Sequence, residues 1–166
     1  MRLTRKLAPL AWMGFDVDGV LTDGSLVFGA TGDELKVFNS LDGHGIKLLL
    51  DAGIGVGIIS GRRSEALAQR AKNLGITDLH MGVGDKLATL DAILAAKGLT
   101  RSQAGYMGDD TVDLPILTAC GFSATVADGH PTLRRYVDYV TRATGGRGAV
   151  REVCDLVLAA RAKGRA

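Results

Sequence analysis

A chain of 166 residues, 46% apolar and 23% charged, has the length of one α/β domain and the composition of a globular protein, which sets aside wholesale disorder. Its net charge of +2 comes from lysines and arginines spread among acidic residues, so nucleic acid is not an expected partner. The apolar run Leu7–Phe15 is too short for a membrane span and ends too early, at Asp16, for a signal peptide, which leaves no membrane partner and makes the cytoplasm the expected location.

In chain order, the first strand is expected at Ala11–Asp16. A β-hairpin is expected at about 25–38, where Leu35 and Val37 alternate with Glu34 and Lys36 and Gly29-Ala30-Thr31-Gly32-Asp33 supplies the turn. From residue 54 onward, short apolar runs alternate with segments of helical period. The runs predict strands at Ile54–Ser60, Asp78–Met81, Gln103–Met107, Phe122–Val126 and Tyr139–Val140. Between them, Arg62–Leu74, Lys86–Lys97, Thr111–Cys120 and Thr132–Tyr136 read as helices, and a closing helix at Ala149–Lys163 puts Val150, Val153, Cys154, Val157 and Leu158 on one face. This rhythm predicts a parallel sheet with helices on both faces, in one domain over 1–166, with the hairpin protruding after the first strand and a tail and helix at about 145–163. Gly53, Gly75, Gly98 and Gly121 stand where helices need left-handed caps. Cys120 and Cys154 are too far apart for a metal or redox spacing and read as small buried hydrophobes.

The chemistry gathers at strand ends. The first strand runs out into Phe15-Asp16-Val17-Asp18-Gly19-Val20, two carboxylates two positions apart. A calcium loop starting at Asp16 would need oxygen ligands where Val20 and Val27 stand, so that reading fails. Ser60-Gly61 closes the second strand of the sheet with a hydroxyl and a free amide, both donors suited to a phosphoryl oxygen. Gly84-Asp85-Lys86 brings an ammonium to the next helix, and Gly108-Asp109-Asp110 followed by Asp113 offers oxygens suited to a hard cation. Each alone fits a cap or a turn; four in this order at one edge of one sheet fit an active site.

The ordered set Asp16-x-Asp18-Gly19-Val20, Ser60, Lys86 and Gly108-Asp109-Asp110-x-x-Asp113 resembles the four motifs of the haloalkanoate dehalogenase superfamily of aspartyl phosphatases. Within that superfamily, the stretches Gly32–Asn39, Asp42–Ile46, Val126–Pro131 and Gly145–Glu152 are similar to those of phosphatases acting on the keto-sugar acid phosphate of lipopolysaccharide biosynthesis, 3-deoxy-D-manno-octulosonate 8-phosphate. The resemblance implies a Rossmann-like fold without a cap domain, and the spans from Gly19 to Ile59 and from Gly61 to Asp85 are indeed too short to hold one.

Chemistry gives Asp16 as nucleophile, Asp18 as general acid and then base, and Lys86 with Ser60 and the Gly61 amide on the transferring phosphoryl group. Several carboxylates facing a phosphate dianion call for Mg2+, with Asp16 and Asp109 as ligands and, by resemblance, the main-chain carbonyl of Asp18. Asp110 and Asp113 are expected behind them, steadying Lys86 or metal-bound water. The resemblance further implies substrate contacts from Asp18, Asn39, Ser40, Leu41, Asp42, Gly43, Lys47, Arg62, Arg70 and Lys86. It also implies a homotetramer built through the hairpin, with a Gly145–Gly148 tail carrying Arg147 as a mobile lid into a neighbouring site. Cations beyond those a phosphate needs point to a second anion, a sugar-acid carboxylate. Lys47, Leu41 and His44 depart from the family's usual arginine, basic residue and tyrosine, which bears on which sugar acid is bound. The competing readings are a phosphatase for a nine-carbon sugar acid, a phosphotransferase or phosphomutase, and a non-catalytic partner protein; the last would be expected to lack one of Asp16, Asp18, Lys86 and Asp109, and all four are present.

Overall fold

The computed structural model describes residues 2–164. In chain order the elements are α1 (Arg2–Leu7), β1 (Trp12–Phe15), β2 (Val27–Phe28), β3 (Glu34–Leu35), α2 (Ser40–Asp51), β4 (Gly55–Ser60), α3 (Glu65–Leu74), β5 (Asp78–Met81), α4 (Lys86–Lys97), β6 (Ala104–Gly108), α5 (Leu114–Ala119), β7 (Phe122–Thr125), β8 (Tyr139–Val140) and α6 (Ala149–Gly164). Short 3-10 turns precede β6, α5 and β8.

Six strands form one parallel sheet in the order β5-β4-β1-β6-β7-β8, while β2 and β3 pair antiparallel as a separate hairpin. The chain lays strands to one side of β1 and then, from β6, to the other. That reversal opens a crevice at the carboxyl end of β1, where open α/β sheets bind ligands. Every side chain of β1 is buried, and because successive residues point to opposite faces the strand feeds two cores. Met13 and Phe15 pack with the faces of α2, α3 and α6, and Trp12 packs with Leu90, Tyr106 and Ile116 on the side of α4 and α5. The Trp12 indole fits because Gly14, Gly55 and Gly57 have no Cβ to occupy its place, and its Nε1 donates to Asp78 at 3.1 Å.

Two departures from the expected boundaries shape the site. Helix α3 starts at Glu65, after the N-cap Ser64, because residues 61–64 are the loop that carries Arg62 over the sheet edge. The segment 111–120 divides into a 3-10 turn at Thr111–Asp113 and then α5, since the Asp113 side chain turns back to accept from the Asp109 and Asp110 amides. The expected helix at Thr132–Tyr136 is likewise a 3-10 turn, at Pro131–Arg135. Gly53, Gly75 and Gly98 are left-handed, as their places at helix ends require. Gly121 is not; its small size is needed because the Ser102 carbonyl lies where a Cβ would go. Both cysteines are free, Cys154 buried and Cys120 partly so, and burial pushes the Cys120 thiol up to about 12. Among the described residues no helix is long and apolar enough to cross a membrane.

Candidate active site

Three strand ends and one helix start meet at the crevice. The Asp16 carboxyl sits one residue beyond β1, 8% exposed, its Oδ1 accepting from the Val17 amide at 2.7 Å and its Oδ2 2.9 Å from Lys86 Nζ. Lys86 opens α4 and reaches back over the sheet to bond Asp113 Oδ1 at 2.7 Å as well. Asp113 is fully buried and its other oxygen accepts from the Asp109 and Asp110 amides. Asp109 follows β6, and its carboxylate has no hydrogen-bond or salt-bridge partner among the described residues. Its place is fixed from the backbone, where the His130 amide donates to its carbonyl at 2.7 Å, and by Gly19, whose absent Cβ leaves room for its Oδ2.

One ligand oxygen each of Asp16, Asp109 and Asp113 lies within 4.8 Å of the others. A single ammonium opposes three carboxylates, and two of them, Asp16 and Asp109, are harder to ionise for it. Burial, with the Asp113 charge added, pushes Asp16 up to about 6 against the pull of Lys86. Burial, with Asp16 and Asp113 added, pushes Asp109 up to about 7. Burial works against the Lys86 ammonium too, but Asp16 and Asp113 outweigh it and hold its pKa above the ordinary lysine value. An oxygen-only cluster with surplus negative charge and one open carboxylate fits a hard divalent cation such as Mg2+. Asp113 belongs to the cluster by distance, yet its oxygens are taken by Lys86 and two amides, so Asp16 and Asp109 are the better donors.

Asp18 turns away from this trio. Its Oδ1 lies 2.5 Å from Lys36 Nζ and its Oδ2 3.7 Å from Arg62 Nε. Both cations also hold Glu34, Lys36 at 2.5 Å and Arg62 at 2.7 Å. The hairpin thus lies over the crevice, with Glu34 and Lys36 facing Asp18 while Leu35 and Val37 point outward, 54% and 78% exposed. The alternation is legible in the sequence, but neither Glu34 nor Lys36 is among the expected site residues; residues two apart in extended backbone share a face, which was the available signal.

Ser60 ends β4 buried, its hydroxyl oxygen accepting from the Arg62 amide at 3.2 Å. Gly61, Lys86 and Val112 line a cleft of about 510 Å3 beside it. A wider groove of about 750 Å3 along β5 and α4 is lined by none of the expected site residues.

The other expected contacts divide. Asn39 caps α2 with its side-chain oxygen, while its carbonyl accepts from Arg70 at 3.2 Å. Gly43 has no Cβ, which gives the Arg70 guanidinium its seat, with the Phe38 ring 5.8 Å away. Ser40 and Leu41 are exposed on the first turn of α2. Asp42 is buried and spends its carboxylate on the Gly148 and Arg151 amides at the start of α6. Lys47 is not brought to the crevice; it lines a groove with Lys72 and Gly75 at the far ends of α2 and α3. Asp110 caps its own turn through the Thr111 amide at 2.6 Å and does not touch Lys86. Gly145 and Gly146 are packed on the Gly19–Asp23 loop of the same chain, held by Asp128 at 2.9 Å and the Val20 carbonyl at 2.9 Å. In this chain the segment supports the loop that follows β1, and Arg147 is exposed, 3.8 Å from Asp23.

Comparison with known proteins agrees with this geometry. The family model for haloacid dehalogenase-like hydrolases matches residues 78–153. The 3-deoxy-D-manno-octulosonate 8-phosphate phosphatase KdsC of Yersinia pestis is 50% identical over 148 residues, 89% of this chain and 79% of that protein. The chain belongs to the KdsC phosphatase family. The KdsC protein of Escherichia coli K12 is 47% identical over the same share of both chains. Among solved structures, the Yersinia pestis phosphatase superposes with a TM-score of 0.95 at 46% identity, covering 97% of this chain and 87% of that one. The Moraxella catarrhalis phosphatase, in complex with magnesium, phosphate and KDO, gives 0.95 at 39% identity over 98% and 93%. The expected fold, a parallel Rossmann-like sheet without a cap domain, is the one this KdsC-family chain adopts.

Proposed function

We propose that the protein hydrolyses 3-deoxy-D-manno-octulosonate 8-phosphate with Mg2+ bound, through an aspartyl phosphate on Asp16, and so releases the free sugar acid and phosphate for lipopolysaccharide biosynthesis. One observation carries the reading: in a chain half identical to a phosphatase of that name, the carboxylate at the end of the central strand is paired at 2.9 Å with a lysine and sits in a cluster short of positive charge.

Asp16 attacks phosphorus in line, and the bond to the sugar oxygen breaks. Asp18 gives its proton to the departing oxygen and later takes one from the water that hydrolyses the aspartyl phosphate. Lys86 offsets charge on the phosphoryl group, and the Ser60 hydroxyl with the Gly61 amide orients its oxygens. Asp113 holds Lys86 in place. Bound Mg2+ supplies the positive charge that lets a phosphate dianion approach carboxylates, and Asp16, Asp109 and the main-chain carbonyl of Asp18 are the groups that would hold it. Arg62 and Arg70, on the loop and helix after β4, are the cations suited to the sugar-acid carboxylate. The outward apolar face of the hairpin, Leu26, Val27, Phe28, Leu35 and Val37, supports assembly into a homotetramer through that element.

The test is steady-state hydrolysis of phosphorylated eight-carbon and nine-carbon keto-sugar acids, with and without Mg2+, by wild type and Asp16→Asn. The expected result is a kcat/KM more than about tenfold higher for the eight-carbon substrate. Turnover should vanish on chelation and in the variant. Equal or better use of the nine-carbon substrate would overturn the substrate, and near-normal turnover by Asp16→Asn would overturn the mechanism.

A further inference from the structure

Lys36 is a buried cation that the chemistry above does not use. Its side chain is 3% exposed, although it directly follows the two-residue strand β3 and its neighbours Leu35 and Val37 stand in solvent. A lysine at such a place, on the face of the hairpin turned to the crevice, needs partners. It has two, Asp18 Oδ1 and Glu34 Oε1, each at 2.5 Å. Glu34 in turn holds Arg62 through its other oxygen at 2.7 Å, and Arg62 Nε stands 3.7 Å from Asp18 Oδ2. Two cations and two carboxyl groups close a ring, and Asp18, the group assigned to acid and base work, is one of its members.

We infer that Lys36, oriented by Glu34, is a positioning residue for proton transfer by Asp18: it fixes Oδ1 and leaves Oδ2, which stands 3.7 Å from Arg62 Nε, as the oxygen that carries the proton. The ion pairs share their partners, so each restrains the next and the ammonium is held in place. In the step served, the bond from Asp16 to phosphorus forms and the bond to the leaving oxygen breaks. The electron pair stays on that oxygen, which takes the proton from Asp18 Oδ2. Geometry of this kind matters most when the leaving oxygen is a poor leaving group that needs its proton early. An aryl oxygen such as that of p-nitrophenol departs as a stable anion and needs none.

The inference rests on the acid role given to Asp18, so the experiment separates the two. Wild type, Asp18→Asn, Lys36→Met, Lys36→Arg and Glu34→Gln are assayed with Mg2+ on p-nitrophenyl phosphate and on phosphorylated keto-sugar acid, reading kcat/KM, kcat and KM. General acid catalysis contributes about 10²–10⁴-fold, and a misplaced acid loses part of it, so Lys36→Met is expected to lose on the order of tenfold to a hundredfold in kcat/KM with the sugar phosphate, the reading that ends at release of the alcohol and leaves out the base step common to both substrates. Its kcat/KM on the aryl phosphate should change by less than about threefold, a spread that loss of fold alone would not give, since unfolding removes both rates alike. Lys36→Arg should recover most of the loss, and Glu34→Gln should show the same selectivity, more weakly, if Lys36→Met does not fold. Equal losses on both substrates in Lys36→Met and Glu34→Gln, beside a selective loss in Asp18→Asn, would overturn the positioning role alone. Equal losses in Asp18→Asn would overturn the acid role and the positioning role with it.

Discussion

Replacing Asp16 by asparagine in the metal-free protein removes a charge that the site holds at a cost. Burial and the neighbouring Asp113 carry the Asp16 carboxyl from 3.8 to about 6. That is roughly two pH units at about 1.4 kcal/mol each, so ionising Asp16 at neutral pH costs the fold about 3 kcal/mol. The folded form binds the proton more tightly than the unfolded chain, so this group stabilises most below about pH 4 and its contribution falls as pH rises through 4 to 6. Asparagine keeps an acceptor for the Val17 amide and carries no charge. At this chain length each kcal/mol moves Tm by roughly 2–4 °C, so Asp16→Asn in chelator at pH 7.5 is expected to melt about 5 °C or more above wild type. The gap should close towards pH 4.5, and Mg2+ should raise Tm in wild type far more than in the variant. Scanning calorimetry from pH 4.5 to 8, with chelator and with Mg2+, reads all three. A variant that melts at or below wild type at pH 7.5, with a difference that ignores pH, would refute the charge argument even if activity were lost.

Because Asp16 and Asp109 ionise only near pH 6 and 7 in the bare site, Mg2+ must displace protons when it binds in acid. Titration calorimetry in buffers of different ionisation heat should show affinity weakening as pH falls from 7 to 5, with protons released; a flat profile would rule that linkage out. Gly19→Ala places a Cβ against the Asp109 carboxylate from a backbone with φ +84°, and is expected to cut turnover by about 10²-fold or more while lowering Tm by only a few degrees. Full activity in that variant would mean Asp109 has room to move. Asp42→Ala strips the Gly148 and Arg151 amides of their acceptor and should destabilise by about 1–3 kcal/mol, read by urea unfolding. A loss of sugar-phosphate binding without loss of stability would return Asp42 to the substrate.

The strand-end motifs were legible because each is short, local and tied to an element whose period the sequence displays. Asp16, Ser60, Lys86 and Asp109 follow four apolar runs, and a parallel sheet can only bring such ends to one edge. Helix α2 was hidden because Gly43, His44 and Gly45 interrupt its apolar pattern. Those glycines are there for contact, one giving Arg70 its seat and the other admitting Arg151 and Cys154 of α6, and contact with a distant element leaves no periodic trace. For the same reason Asp42 read as a substrate contact: a carboxylate that caps a helix beginning more than a hundred positions later looks like any other acidic residue in the sequence. Gly145 and Gly146 read as a mobile strand because glycine serves flexibility and close packing alike, and their packing on the Gly19–Asp23 loop is a distant contact with no trace in the local sequence.

The hairpin's two-faced strand has a consequence for how the enzyme behaves in dilute solution. Leu35 and Val37 on the outside and Glu34 and Lys36 on the inside alternate along one short stretch of backbone, so whatever buries the outer pair also sets the height of the ammonium above Asp18. Under the proposed assembly through the hairpin, dilution would free the ribbon from an intact sheet, and specific activity on sugar phosphates would decline with protein concentration while the circular dichroism of the helices stayed constant.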